Sequence, residues 1–154
     1  MLKINIVCVG KVKEKYFAEG IAEYAKRLSR FCEFSVIETA EENVNGLSPS
    51  AISEREGKSI LPKLRGTVFA LAIEGKKYSS RAFADELKRL TDGGANEITF
   101  VIGGSYGLSG EVKNRADGLI SFSDMTFPHT LFRLMLTEQI YRAFCINAGT
   151  PYHK

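Results

Sequence analysis

The chain has 154 residues, of which 44% are hydrophobic and 25% charged, and this balance is typical of a single globular domain rather than a disordered chain. Because no apolar run reaches the ~18 residues of a membrane span, and because the first ten residues lack the cleavage site of a signal peptide, we expect one cytoplasmic domain over 1–154 without membrane contact. The net charge of +3, from 21 basic and 18 acidic residues, is by itself too small to indicate a nucleic-acid partner.

Apolar runs alternate with segments of helical periodicity along the chain. The first strand is almost continuously apolar, which is typical of a parallel strand covered on both faces. The predicted strands are 2–9, 32–39, 67–73, 97–102 and 118–123. The predicted helices are 14–31, one beginning at Ser48-Pro49, one beginning near Ser79 or Ser80, a short one over 110–116 capped by Ser109, and 129–146. A turn is predicted at Glu74-Gly75, directly after the third strand.

This order of elements predicts an α/β fold with one mainly parallel sheet and helices on both faces. In such a sheet, ligands bind at the carboxyl ends of the strands. Positive charge concentrates in two loops that follow predicted strands, and we expect these loops to contact a phosphate backbone, although lysines that are only solvated would give the same pattern. The basic residues of the two loops are Lys11, Lys13 and Lys15, and Lys76, Lys77 and Arg81.

The fourth predicted strand runs directly into a glycine-rich loop, GGSYGLS over 103–109. Glycines after a buried strand let the backbone approach a ligand closely, although a tight turn between strand and helix explains them equally well. No G-x-G-x-x-G follows the first strand, and no G-x-x-x-x-G-K-[ST] occurs anywhere. A dinucleotide-dependent dehydrogenase and a P-loop NTPase are therefore disfavoured.

The cysteines and histidines do not form a metal-binding pattern. Cys8, Cys32 and Cys145 are far apart and lie in apolar stretches, as expected of buried thiols in a reducing compartment. His129 and His153 cannot build a zinc site without further ligands. We expect no metal.

The last predicted helix, 129–146, is apolar in nearly every direction, so we expect it to be buried on two sides. In a domain this small, one of those sides is expected to face a second subunit, which predicts a homodimer. His129 and Arg133 lie four residues apart on one face of this helix, and Glu138 and Arg142 form a second pair with the same spacing.

Four segments carry a specific resemblance: IVCVGKVKEKY (6–16), LAIEGK (71–76), FVIGGSYGLS (100–109) and the whole of 121–154. Together they resemble the RlmH family, the ribosomal RNA large-subunit pseudouridine methyltransferases of the SPOUT (α/β-knot) superfamily. The resemblance implies a carboxy-terminal trefoil knot, which periodicity does not indicate and which is rare among folds. It also implies that S-adenosylmethionine binds in the knot, and that the substrate is 23S rRNA within the ribosome.

Carried over motif by motif, the resemblance implies a set of cofactor contacts at three strand ends. They are Leu71, Gly103, Phe122, Ser123, Asp124, Met125, Thr126 and Phe127. Side chains at 124 and 125 vary within the family, so we expect backbone atoms to make much of this recognition. Packing in the core is the alternative role for Leu71 and Phe122.

The acceptor that the resemblance implies is N3 of a pseudouridine, which carries a proton at neutral pH and must lose it. A base, or a cation that stabilises the anionic ring, would assist. We expect His129 and Arg133 to orient and polarise the base, and the tail of Tyr152, His153 and Lys154 to close the site, in its own subunit or in a partner's. A position at the start of the helix is the alternative role for His129, and fraying is the alternative for the tail.

Two other functions remain open at this point. The first is a non-catalytic ribosome-associated binding module that keeps the fold and the basic loops. The intact Gly103-Gly104 pair and the 121–129 loop distinguish the enzyme from such a module, because a module would be free to fill Gly103 with a larger side chain. The second, a general nucleotide-binding α/β protein, is disfavoured by the missing fingerprints.

Overall fold

The computed structural model describes residues 1–43 and 45–154. The strands are β1 (Lys3–Val9), β2 (Glu33–Thr39), β3 (Thr67–Lys77), β4 (Glu97–Ile102) and β5 (Gly118–Ser121). The helices are α1 (Lys15–Leu28), α2 (Pro49–Ile60), α3 (Ser80–Asp92), α4 (Gly110–Arg115) and α5 (His129–Ala148), and a 3-10 turn, Leu61–Lys63, follows α2 at Pro62. None of the helices in these ranges has both the length and the apolar character needed to cross a bilayer.

The strands form one sheet in the order β2-β1-β4-β3-β5, and every neighbouring pair is parallel. The carboxyl ends of all five strands therefore lie at the same edge of the sheet. This confirms the predicted α/β class with a mainly parallel sheet. The trefoil knot stays a prediction, and the observed strand order is consistent with it.

Side chains that alternate along the strands form two cores, one on each face of the sheet. On one face, Ile6 and Phe100 pack with the buried sides of α1, α3 and α5. On the other face, Val7 and Val101 pack with α2 and α4. This explains why β1 and β4, at the centre of the sheet, are apolar at nearly every position.

Three serines begin helices where the sequence indicated helix starts. The hydroxyl oxygens of Ser48, Ser79 and Ser109 accept hydrogen bonds from the backbone N–H groups three residues later, at 3.2, 3.0 and 3.3 Å. Each bond satisfies one of the N–H groups that a helix start leaves free. The predicted starts of these helices are confirmed.

The predicted turn at Glu74-Gly75 is wrong, because β3 continues to Lys77. Its register against β5 shifts on the way: Leu71 and Lys76 both pair with Ile120, so the residues between them, 72–75, form a bulge. Gly75 makes this possible, since a Cβ there would lie 2.6 Å from the backbone nitrogen of Ile120. The glycine therefore serves a close approach between strands rather than a turn.

Replacing Gly75 with alanine is expected to lower the free energy of unfolding by about 1–3 kcal/mol, because an over-packed site forces the backbone to move. Urea denaturation monitored by circular dichroism measures this change. Gly110→Ala is the matched control, since a Cβ at Gly110 meets nothing within 4 Å. Equal stability of the two variants would contradict the close approach of β3 to β5.

Candidate functional site

A cavity of about 860 Å³ opens at the carboxyl ends of β1, β4 and β5 and beside residues 71–74 within β3, and we call it the strand-end cavity. Its wall is formed by four segments: the β1 loop (10–14), the β3 bulge (72–75), the glycine loop (103–109) and the segment after β5 (122–128). The wall includes most of the residues that the resemblance implied for a cofactor: Leu71, Gly103, Phe122, Ser123, Met125, Thr126 and Phe127. Asp124 does not line it, and its exposed carboxylate pairs with Lys77 instead.

The glycine loop is tightly packed against itself and against α2. A Cβ at Gly103 would lie 2.7 Å from the carbonyl carbon of Gly107, which has a φ of +80° that favours glycine. Ser53 of α2 donates a hydrogen bond to the carbonyl of Tyr106 at 3.1 Å. The structure thus shows the tight turn that the sequence offered as one alternative, and the ligand-binding role of this loop stays a prediction.

Glu56 lies beneath this loop and was not expected to take part in the site. It is 2% exposed, and Oε2 accepts a hydrogen bond from the Glu42 N–H at 3.1 Å, while Oε1 has no partner among the described residues. Burial raises the pKa of Glu56, and the neighbouring Glu41 and Glu42 raise it further, against the effect of that hydrogen bond. The available signal was its spacing, four residues from Ile52 and from Ile60, on the buried face of α2.

Arg133 is buried beneath the site and does not line the strand-end cavity. Its Nη1 donates to the Glu38 carboxylate at 2.6 Å, and Nη2 donates to the carbonyl of Gly10 at 2.9 Å. One guanidinium thus ties α5 to the ends of β2 and β1. His129, one helical turn earlier, does line the cavity.

The carboxy-terminal tail lies elsewhere in the same protomer. The Tyr152 hydroxyl is 3.2 Å from a Glu138 oxygen and 3.3 Å from the Tyr24 hydroxyl, and His153 Nδ1 is 3.1 Å from an Arg142 nitrogen. Burial, followed by the hydrogen bond with Tyr24, raises the pKa of Tyr152. Neither Tyr152 nor His153 lines the strand-end cavity of its own chain.

A second cavity, of about 560 Å³, lies between α1, α3 and α5, and we call it the helix-face cavity. Tyr24 and Glu138, which hold the tail, belong to its wall. It shares part of its wall with the strand-end cavity, namely Ile120, Ser121, Phe122 and Phe127. The segment after β5 therefore separates the two cavities.

The two basic loops differ in their relation to the site. Lys11 and Lys13 line the strand-end cavity, whereas Lys15 forms an exposed pair with Glu19. In the second loop, Lys76 lies over the Tyr78 ring at 4.8 Å, Lys77 pairs with Asp124, and Arg81 is exposed.

Over residues 1–43 and 45–154, no group of His, Cys, Asp or Glu side chains is arranged to hold a metal ion, and all three cysteines are buried and free.

The comparison with known families agrees with this geometry. A family described as predicted SPOUT methyltransferase matches residues 2–153. The chain belongs to the SPOUT methyltransferase family. Within it, the chain is 57% identical to ribosomal RNA large subunit methyltransferase H of Levilactobacillus brevis and 53% identical to that of Streptococcus uberis, over 99% of this chain and 100% of each relative. The resemblance to the RlmH family is thereby confirmed.

Solved structures support the SPOUT fold. A probable methylase family protein from Haemophilus influenzae superposes with a TM-score of 0.57 at 12% identity, over 98% of this chain and 70% of that one. The tRNA (m1G37) methyltransferase from Aquifex aeolicus superposes with a TM-score of 0.53 at 15% identity, over 92% and 69%. At these identities the likeness concerns the fold alone.

Two neighbouring positions on α5 of this SPOUT protein separate a structural role from a role at the cavity. Arg133→Met is expected to lower the free energy of unfolding by about 1.5–3 kcal/mol, the range for losing hydrogen bonds to a charged group. The partly exposed Glu38 can regain water, which limits the loss. His129→Ala is the control and is expected to change stability by less than ~0.5 kcal/mol. Chemical denaturation compares the variants. If Arg133→Met were as stable as the unaltered chain, the contacts of Arg133 with Glu38 and Gly10 would contribute little to the free energy of unfolding.

Proposed function

We propose that this SPOUT methyltransferase transfers a methyl group from S-adenosylmethionine to N3 of a pseudouridine in 23S rRNA, within the assembled ribosome. The observation that carries the proposal is the full-length identity of 53–57% to proteins named as large-subunit rRNA methyltransferases. The strand-end cavity supports it, because residues of the cofactor motifs meet there. Such a substrate implies a cytoplasmic location.

The residues of the strand-end cavity fit S-adenosylmethionine. Its volume of about 860 Å³ is within the range of ~300–1,000 Å³ for small-molecule sites. Leu71 and Phe122 offer apolar surface for an adenine ring, and the turns at 103–107 and 121–127 present backbone groups for its polar edges. When bound, the cofactor supplies an electrophilic methyl group on a positively charged sulfur. The exposed position of Asp124 agrees with recognition through the backbone of that segment rather than through its carboxylate.

His129 and Arg133 take different parts in this proposal. His129 lines the cavity, which supports a role for it in contact with the acceptor base. Arg133 holds the loop after β1 and the start of α5 in position through its hydrogen bonds to Gly10 and Glu38, and it does not line the cavity itself. Lys11 and Lys13 at the same cavity would neutralise phosphates of the RNA.

We further propose a homodimer, in which Tyr152 and His153 of one protomer complete the strand-end cavity of the other. Within one chain the tail contacts Glu138, which lies about 13 Å along α5 from His129 at a rise of ~1.5 Å per residue. Leu134 and Met135 of α5 remain partly exposed in the helix-face cavity, beside Tyr24. A second subunit packed on this face would cover them. The intact glycine loop argues against a module that has lost catalysis.

The proposed activity is tested by incubating ribosomes that lack this modification with the protein and isotope-labelled S-adenosylmethionine. Mass spectrometry of nuclease digests of the 23S rRNA should show one labelled methyl group on one pseudouridine. Free 23S rRNA under the same conditions is the control and should be labelled much less. Absence of label from intact ribosomes and from 50S subunits would refute the proposal.

The cofactor placement is tested by Gly103→Ala. Because the added Cβ would lie 2.7 Å from the backbone of Gly107, the loop must shift, and the affinity for S-adenosylmethionine is expected to fall by roughly tenfold or more, which corresponds to about 1.4 kcal/mol. Isothermal titration calorimetry measures the affinity, with Gly110→Ala as the control that leaves it unchanged. Equal affinities for the two variants would place the cofactor away from the glycine loop.

A further inference from the structure

One carboxylate in the wall of the strand-end cavity is not used by the fold. Glu14 directly precedes α1, and its backbone carbonyl accepts hydrogen bonds from the N–H groups of Phe17 and Ala18. A side chain at this position commonly caps its own helix, as the serines before α2, α3 and α4 do. The Glu14 side chain makes no cap hydrogen bond. It belongs instead to the wall of the cavity.

The carboxylate of Glu14 is incompletely satisfied by the protein. Its Oε2 is buried and has no hydrogen-bond partner among the described residues. A buried acceptor without a partner costs ~1–3 kcal/mol, and a charged one costs more. Native structures keep few such groups, and those in a cavity wall are candidates for contact with a ligand. Because Oε2 itself is enclosed by protein, a donor that enters the cavity would meet this carboxylate at its other oxygen, Oε1.

The strand order indicates which ligand that is. The residues proposed to hold the cofactor lie within β3 and directly after β4 and β5, whereas Glu14 follows β1 on the opposite side of β4. Lys11 and Lys13, which are suited to phosphates, line the cavity from the same loop as Glu14. This part of the cavity is therefore suited to the nucleic-acid acceptor rather than to the cofactor.

We propose that Glu14 is a catalytic residue that accepts the proton of the acceptor's imide nitrogen, an inference that rests on the proposed function. The ring nitrogen forms a bond to the methyl carbon while the carbon–sulfur bond breaks, and the electron pair of that bond stays on sulfur, which becomes a neutral thioether. The N–H proton passes to the Glu14 carboxylate and from there to water. The positive charge of the sulfonium and the negative charge of the carboxylate are thus cancelled together.

The test compares Glu14→Gln with Glu19→Gln, an exposed glutamate on α1 that is paired only with Lys15. With ribosomes as substrate, single-turnover methylation by Glu14→Gln at neutral pH is expected to fall by roughly 10²–10⁴-fold, the range for loss of a general base. Its rate should then rise with hydroxide concentration, because solvent must take the proton. Glu14→Asp, which keeps the charge, should restore part of the rate and the pH profile of the unaltered protein.

Two measurements without turnover separate this role from others. Calorimetry should give the same affinity for S-adenosylmethionine in the unaltered protein and in Glu14→Gln, and thermal unfolding should show no loss of stability. A matching fall in cofactor affinity would show that Glu14 binds the cofactor and would overturn the proposal. So would an unchanged rate in Glu14→Gln, while methylation by the unaltered protein still supported the proposed function. If the unaltered protein methylates no ribosomal RNA, both proposals fail.

Discussion

The geometry of the site depends on the contacts that the Arg133 guanidinium makes with Glu38 and Gly10. The guanidinium is almost fully buried, yet Nη1 pairs with Glu38 and Nη2 donates to the carbonyl of Gly10, so that α5, β1 and β2 are joined at one edge of the sheet, while Nε has no partner among the described residues. Transfer of a charged group from water to the interior is costly unless it is paired in this way. The same contact places His129 one turn along α5, and it fixes the loop that carries Lys11, Lys13 and Glu14. Arg133, for which the sequence suggested contact with the base, is thus buried and bonded to Glu38 and Gly10, and its role in catalysis stays a prediction.

On the sheet face covered by α2, Glu56 lies beneath the glycine loop, and its burial there disfavours the charged form of its carboxyl group. Burial raises the pKa of Glu56, and Glu41 and Glu42 raise it further, while Oε1 has no partner among the described residues. Because its folded-state pKa lies above the unfolded value, the folded state binds the proton more tightly. The contribution of Glu56 to stability is then largest below the unfolded pKa and is lost as the pH rises through the folded pKa. As the pH rises, the burial of this carboxyl beneath the glycine loop therefore becomes less favourable.

Most of the fold was predictable because its signals are local. Continuous apolar runs predicted β1 and β4, and serines, whose side chains can cap a helix, predicted the helix starts. Gly75 misled the prediction because a glycine in a turn and a glycine in a close strand contact look the same in sequence. The cavity residues came from motif resemblance rather than periodicity. The burial of Arg133 could not be predicted, since its partner Glu38 is 95 residues away along the chain. The burial of Glu14 Oε2 without a hydrogen-bond partner among the described residues likewise depends on how the β1 loop packs.

The segment after β5 contributes Phe122 and Phe127 to both cavities. In the proposed dimer, the cofactor would lie against one side of this segment and the second subunit against the other. Any coupling between the two binding events is reciprocal, so the effect of the cofactor on self-association would equal the effect of self-association on cofactor affinity. The cofactor affinity of such a protein would then depend on the protein concentration.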